Sequence, residues 1–142
     1  MTAPAVAVDL PVAWRHRTDA APFALVARAH PWSGAFAPNL TLALTPFDPT
    51  RSLDRYLAGQ VEMAAATLAD AVLLDAGIDR VERSVMFLIA HATTGVDLTM
   101  LQHHRVTDDR WVIAAAATAA DDDWPLVAAD LIAMVRSTRP AR

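Results

Sequence analysis

Ser52-Leu53-Asp54-Arg55-Tyr56-Leu57-Ala58-Gly59-Gln60-Val61-Glu62-Met63-Ala64-Ala65-Ala66-Thr67-Leu68-Ala69-Asp70-Ala71-Val72 reads as one long amphipathic helix. Leu53, Leu57, Val61, Ala64, Leu68 and Val72 recur at steps of three or four, which puts them on a single stripe. Ser52 stands just before that stripe, where a hydroxyl can accept from a free N–H of the first turn, and Asp54 adds favourable charge at the positive end of the helix. The spacing predicts a helix from Ser52 to Val72, and the rest of the chain must supply a surface for its stripe.

Downstream the chain reads as β-structure. Leu73-Leu74-Asp75-Ala76 is a short strand closed by Gly77. Arg80 to Thr93 is a long one, with Val85, Phe87 and Ile89 on one side and Met86, Leu88 and Ala90 on the other. A strand that is apolar on both faces is covered on both. Thr94-Gly95 predicts a hairpin turn into Leu98 to Val106, and Asp108-Asp109 a second turn into Trp111 to Ala119. Ala114 to Ala117 has helical propensity, yet Trp111-Val112-Ile113 before it and a new helix start after it place it in a strand. That start is Asp121-Asp122-Asp123-Trp124-Pro125, with acidic residues and a proline where a helix begins. Val127, Leu131 and Met134 or Val135 form the inner stripe of a C-terminal helix that ends near Arg136 and Ser137, before Pro140.

Upstream, seven of the nine prolines precede Thr50, so no long helix fits there. Pro11 to Arg15 and Phe23 to Ala29 read as short extended pieces, and Asn39 to Thr45 alternates Leu40, Leu42 and Leu44 against Thr41, Ala43 and Thr45. The expected fold is one α+β domain over residues 1–142. It has an antiparallel sheet of about six strands, with the long central helix and the C-terminal helix packed on it. Residues 1–10 and 138–142 are expected to be loosely ordered.

Composition narrows the function. All 12 basic residues are arginine and the net charge is −4, so the basic surface that phosphate backbones require is missing and nucleic acid is not an expected partner. The chain has no cysteine, which removes disulfides, thiolate metal sites and a cysteine nucleophile. No segment approaches the roughly 20 apolar residues of a membrane span. The first residues lack a basic region and an apolar run, so the expected location is cytoplasmic.

Residues that could carry chemistry have ordinary readings. His103 and His104 are neighbours on a strand and point to opposite faces, so they cannot jointly hold one ion. With a two-residue turn at Thr94-Gly95, His91 falls opposite Leu98 and shares a face with His104, but the two are roughly 20 Å apart along the strands at 3.3 Å per residue. The acidic run from Asp121 lacks the spacing of a calcium loop and suits a helix start. Ser84, His91 and Asp97 could be named as a triad, but no nucleophile elbow surrounds Ser84. Gly34, Gly59, Gly77 and Gly95 are too scattered for a phosphate loop. No catalytic residue, metal or cofactor is expected, and the protein is not expected to be an enzyme.

Extended pieces, then Asn39-Leu40-Thr41-Leu42, the helix opening Ser52-Leu53-Asp54-Arg55-Tyr56, a meander and a terminal helix form an order of elements that resembles the PsbP-like superfamily. Relatives in that group are the actinobacterial LpqN-type lipoproteins, the DcrB proteins and the Eag secretion chaperones. Phe36-Ala37-Pro38-Asn39-Leu40-Thr41-Leu42 is similar to the stretch before that family's first helix, and the resemblance spans Trp14 to Arg136. It implies an antiparallel sheet with helices on it, used to bind a partner or an apolar ligand, and no catalytic residue. With no cysteine to carry a lipid, a lipoprotein signal of the LpqN type is not expected, and neither is a role in the cell envelope.

Taken with the meander register, this gives the expected function: a non-enzymatic, chaperone-like or accessory binding module. One face should hold Val85, Phe87, Ile89, Leu98, Met100, Trp111 and Ile113 as core. The other should hold Met86, Leu88, Leu101, His103, Arg105, Val112 and Ala114. Such a face is either covered by the C-terminal helix, which is short, or is a docking face; in the second case Met86, Leu88, Leu101, His103 and Val112 are the candidate partner-binding residues, for a protein or for a second copy of this chain. The alternative is a carrier of a small apolar or lipid-like ligand in a pocket between sheet and helix.

Overall fold

The computed structural model describes residues 3–108 and 110–141. In chain order the elements are β1 (Val6–Ala7), β2 (Arg15–Arg17), β3 (Leu25–Arg28), β4 (Asn39–Pro46), α1 (Leu53–Thr67), β5 (Ala69–Asp79), β6 (Ser84–Thr93), β7 (Val96–Thr107), β8 (Trp111–Ala120), α2 (Trp124–Ser137) and β9 (Arg139–Pro140). Seven strands form one antiparallel sheet in the order β2-β3-β4-β8-β7-β6-β5, and β1 pairs with β9. The fold is a single α+β domain with one helix on each face of this sheet. Among the described residues no helix is long and apolar enough to cross a membrane.

Helix α1 starts where the sequence places it. Ser52 is extended and its hydroxyl accepts from the Arg55 N–H at 3.1 Å, closing one of the free donors of the first turn. Replacing Ser52 by Ala should lower the free energy of unfolding by about 1 kcal/mol. Urea denaturation measures this, and an unchanged midpoint would mean that the cap contributes nothing. The helix ends earlier than its apolar spacing suggests: Leu68 is already extended, Asp70 takes φ +54°, and Ala69 onward is strand. Leu68 and Ala71 still pack on the same cluster of Ala64, Phe87 and Ile89, so the stripe continues although the helix does not. Val72, expected on that stripe, is exposed on β5.

Strand β5 runs through Gly77 instead of stopping there, and β6 begins at Ser84, not Arg80. The intervening turn is held by Asp79, whose carboxylate accepts from the N–H groups of Val81 and Glu82, each at 3.0 Å. The terminal segments, expected to be loose, meet: Val6 is opposite Pro140, the Asp9 N–H donates to the Ser137 hydroxyl at 2.9 Å, and Arg139 pairs with Asp9.

The alanines of β8 show why propensity loses here. Ala115, Ala117 and Ala119 point toward α2 and are fully buried against Leu131, Met134 and Val135. Small side chains let the helix lie close to the sheet, and that packing outweighs alanine's helical preference. Helix α2 has 14 residues against 15 in α1. Of the two alternatives for the second sheet face, cover by this helix is the one found: Leu131, Met134 and Val135 pack in one cluster with Leu25, Leu40, Leu42 and Leu101.

Candidate functional site

Gly95, at φ +73°, completes the two-residue turn between β6 and β7 and fixes their register as expected. Ser84 lies opposite Arg105, Met86 opposite His103, and Leu88 opposite Leu101, all on the α2 side of the sheet. Between these residues and Ile132 and Arg136 of α2 lies a cavity of about 500 Å³, with Asp79 and Glu82 of the β5–β6 turn also lining it. Four of the five expected binding residues, Met86, Leu88, Leu101 and His103, therefore share one site. They do not form an open docking face, because Leu101 is 5% and His103 2% exposed.

Val112 is not among them. It lies on the α1 side, fully buried with Phe47, Tyr56, Val85 and Val106. Three residues separate Thr107 from Trp111, one more than the expected two-residue turn, and the Arg110 N–H donates to the Thr107 carbonyl at 3.0 Å. Asp109, named in that expectation, lies outside the described residues. One residue of slip turns every side chain to the other face, so Trp111 and Ile113 move to the α2 side and Val112 and Ala114 leave it. Ile132 and Arg136 were missed in the sequence, although their spacing of four on a helix places them side by side.

The cavity is apolar along Met86, Leu88, Leu101 and Ile132 and polar at the end near His103 and Arg105. Burial, assisted by the charges of Arg105 and Arg136 and opposed by Asp79, pushes the His103 pKa down to about 4, so its ring is neutral near pH 7. Its Nδ1 is buried without a hydrogen-bond partner among the described residues, and so is Arg105 Nε. The Arg105 Nη2 donates to the Arg136 carbonyl at 3.1 Å and lies 3.7 Å from the Glu82 carboxylate. Buried polar atoms are nearly always paired, and leaving one unpaired costs about 1–3 kcal/mol. The arrangement can hold a molecule with an apolar body and a hydrogen-bonding group at one end.

His104 faces α1 and is fully engaged. Its Nδ1 lies 2.6 Å from the Tyr56 hydroxyl and its Nε2 2.6 Å from Gln102 Oε1, so the neutral ring accepts from tyrosine and donates to the amide oxygen. Burial also lowers its pKa to about 4, and burial raises that of Tyr56 to about 12. Ser84 and His91 sit on opposite faces of β6, which keeps the nominal triad apart. Asp123 precedes α2 but makes no side-chain cap bond, while Asp121 accepts from the Thr99 hydroxyl at 2.5 Å. Among the described residues no group of three histidines and carboxylates is placed to hold a metal ion.

No protein-family model matches the chain, and no curated protein does. Solved structures do. LpqN, involved in cell envelope biogenesis of Mycobacterium tuberculosis, superposes with a TM-score of 0.73 at 15% identity, over 99% of this chain and 85% of that one. Cyanobacterial PsbP from Synechocystis superposes with a TM-score of 0.72 at 14% identity, over 96% and 87%. A protein of unknown function from Pseudomonas aeruginosa gives 0.56 at 13% identity, over 92% and 78%. At these TM-scores the overlap with LpqN and cyanobacterial PsbP is nearly complete, and the chain has the PsbP-like fold.

Proposed function

We propose that the protein is a non-enzymatic accessory binding module that holds a small amphipathic ligand between its sheet and α2. The observation that carries this reading is the cavity of about 500 Å³, with an apolar floor and two buried polar atoms lacking partners at one end. Small-molecule sites have volumes of about 300–1,000 Å³ and the same mixture of apolar lining and a few polar groups. A protein docked flat on this face is disfavoured, since Leu101 and His103 lie under α2. The involvement of LpqN in cell envelope biogenesis is compatible with a lipid-like ligand.

The test is binding of anilinonaphthalene sulfonate, an apolar dye with an anionic group, followed by fluorescence. Met86 is half-buried on the cavity wall, so Met86→Trp should fill the space and weaken dye binding by about tenfold or more, equal to ~1.4 kcal/mol. Thermal melting by circular dichroism should stay within a few degrees of the parent. A parent protein that binds no dye, or a tryptophan variant that binds it equally well, overturns the proposal.

A further inference from the structure

The other sheet face carries a feature that the cavity reading does not use. Helix α1 packs toward the β5 and β6 end of that face. At the opposite end Arg15 of β2, Arg28 of β3 and Asn39 of β4 form one row, each the direct cross-strand partner of the next. Arg17, Val26 and Thr41 form the adjacent row on the same face. These six line a trough of about 740 Å³ together with the alternating residues His16, Ala27 and Leu40, of which Ala27 and Leu40 are buried in the cluster under α2.

The charges in this trough are arranged against the fold's own stability. Like charges directly opposite each other on neighbouring strands are destabilising, and Arg15 faces Arg28. Arg17 is paired with Asp19 at 3.1 Å. Among the described residues neither Arg15 nor Arg28 has a side-chain hydrogen bond or an ion pair. The chain has 16 acidic residues for 12 arginines, yet among the described residues none forms an ion pair with Arg15 or Arg28. The polar side chains among these six can all donate: the guanidinium groups of Arg15 and Arg28, that of Arg17, already held by Asp19, the Asn39 amide, which also reaches the Ala37 carbonyl at 3.5 Å, and the Thr41 hydroxyl. A carboxylate offers one charge and two oxygens. A phosphoryl group offers up to two charges and three oxygens, and guanidinium forks match it in bidentate fashion.

We propose that Arg15, Arg28 and Asn39 form a binding site for a phosphoryl group, separate from the cavity under α2. The group can belong to a soluble phosphate ester or to a lipid headgroup, and two probes distinguish the sources. Calorimetric titration with inorganic pyrophosphate at low salt should show saturable binding at one site per chain. Arg28→Gln should weaken it by about tenfold or more, whereas Arg80→Gln, at a residue paired with Asp54 on α1, should leave it unchanged. Co-sedimentation with phosphatidylglycerol vesicles forms the second arm, and vesicle binding that Arg28→Gln abolishes assigns the group to a headgroup. Without any anion, Arg28→Gln should melt no lower than the parent, because it removes a like-charge pair. Failure of both probes, binding that survives Arg28→Gln, or a melting point lowered by several degrees overturns the proposal.

Discussion

Leu101→Asp should destabilise the protein by about 4 kcal/mol, a large part of the ~5–15 kcal/mol that holds a domain of this kind together. Leu101 is 5% exposed, lies between Leu88 and Ala117 on neighbouring strands, and belongs to the cluster built on Leu131, Met134 and Val135. A carboxylate there has no partner to compensate its lost hydration, so it stays charged at high cost or must take up a proton. Leu101→Met keeps the volume and should cost less than about 1.5 kcal/mol. Urea denaturation followed by circular dichroism separates the two variants. An aspartate variant as stable as the parent would mean that α2 does not seal this face.

Acidification from pH 6.5 to pH 4 should remove about 3 kcal/mol of stability for each of His103 and His104. Both rings have their pKa lowered from 6.5 to about 4, chiefly by burial. Between those values the unfolded chain takes up protons on these histidines and the folded chain does not, so unfolding becomes easier as pH falls through that window. Above pH 6.5 both states are neutral at these positions and the contribution is flat. His103→Leu removes one of the two groups, and a His103 ring with no hydrogen bond at Nδ1 has little to lose in the exchange. The variant should show about half the pH slope in its urea midpoint over this range, and a slope equal to the parent's would refute the assignment. Tyr56, with its hydroxyl pushed up to about 12, stays protonated throughout and donates to His104 as long as that ring is neutral.

Reading the sequence works best where backbone chemistry leaves one solution. Thr94-Gly95 offers a turn that only a two-residue hairpin fits, and the pairing from Ser84–Arg105 to Thr93–Val96 follows residue by residue. The next turn has no such marker. Asp108 takes φ +49° without a glycine, the connection has one extra residue, and the side chains of β8 exchange faces. That slip is why Val112 was placed with Met86 and why Trp111 and Ile113 were placed with Val85.

The end of α1 was hidden for a related reason. Neither glycine nor proline stops it, Asp70 takes the left-handed conformation, and Leu68 and Ala71 keep facing the same cluster after the backbone becomes extended. Apolar spacing records which side of the chain is buried, not the secondary structure that buries it. The cavity was legible in four residues of the meander, while its roof, Ile132 and Arg136, lies beside the stripe that marks the helix. The cross-strand row of Arg15, Arg28 and Asn39 could not be read from three short segments separated by prolines, because only the pairing of β2, β3 and β4 brings them into line.

The strand order also sets a schedule for synthesis on the ribosome. Strand β4 lies between β3 and β8, so one of its edges is met early by a neighbour and the other only by the last strand of the main sheet. Asn39 waits for Thr118 and Pro46 for Trp111 while all of α1, β5, β6 and β7 are translated. Strands β5 to β8 form an uninterrupted run of local hairpins that can close in order as they emerge, whereas the N-terminal half must keep its Leu40 and Leu42 side chains from other apolar surfaces until the chain is nearly complete. The prolines crowded before Thr50 suit that interval, since a proline-broken segment with an unmatched edge is a poor template for pairing with another nascent chain.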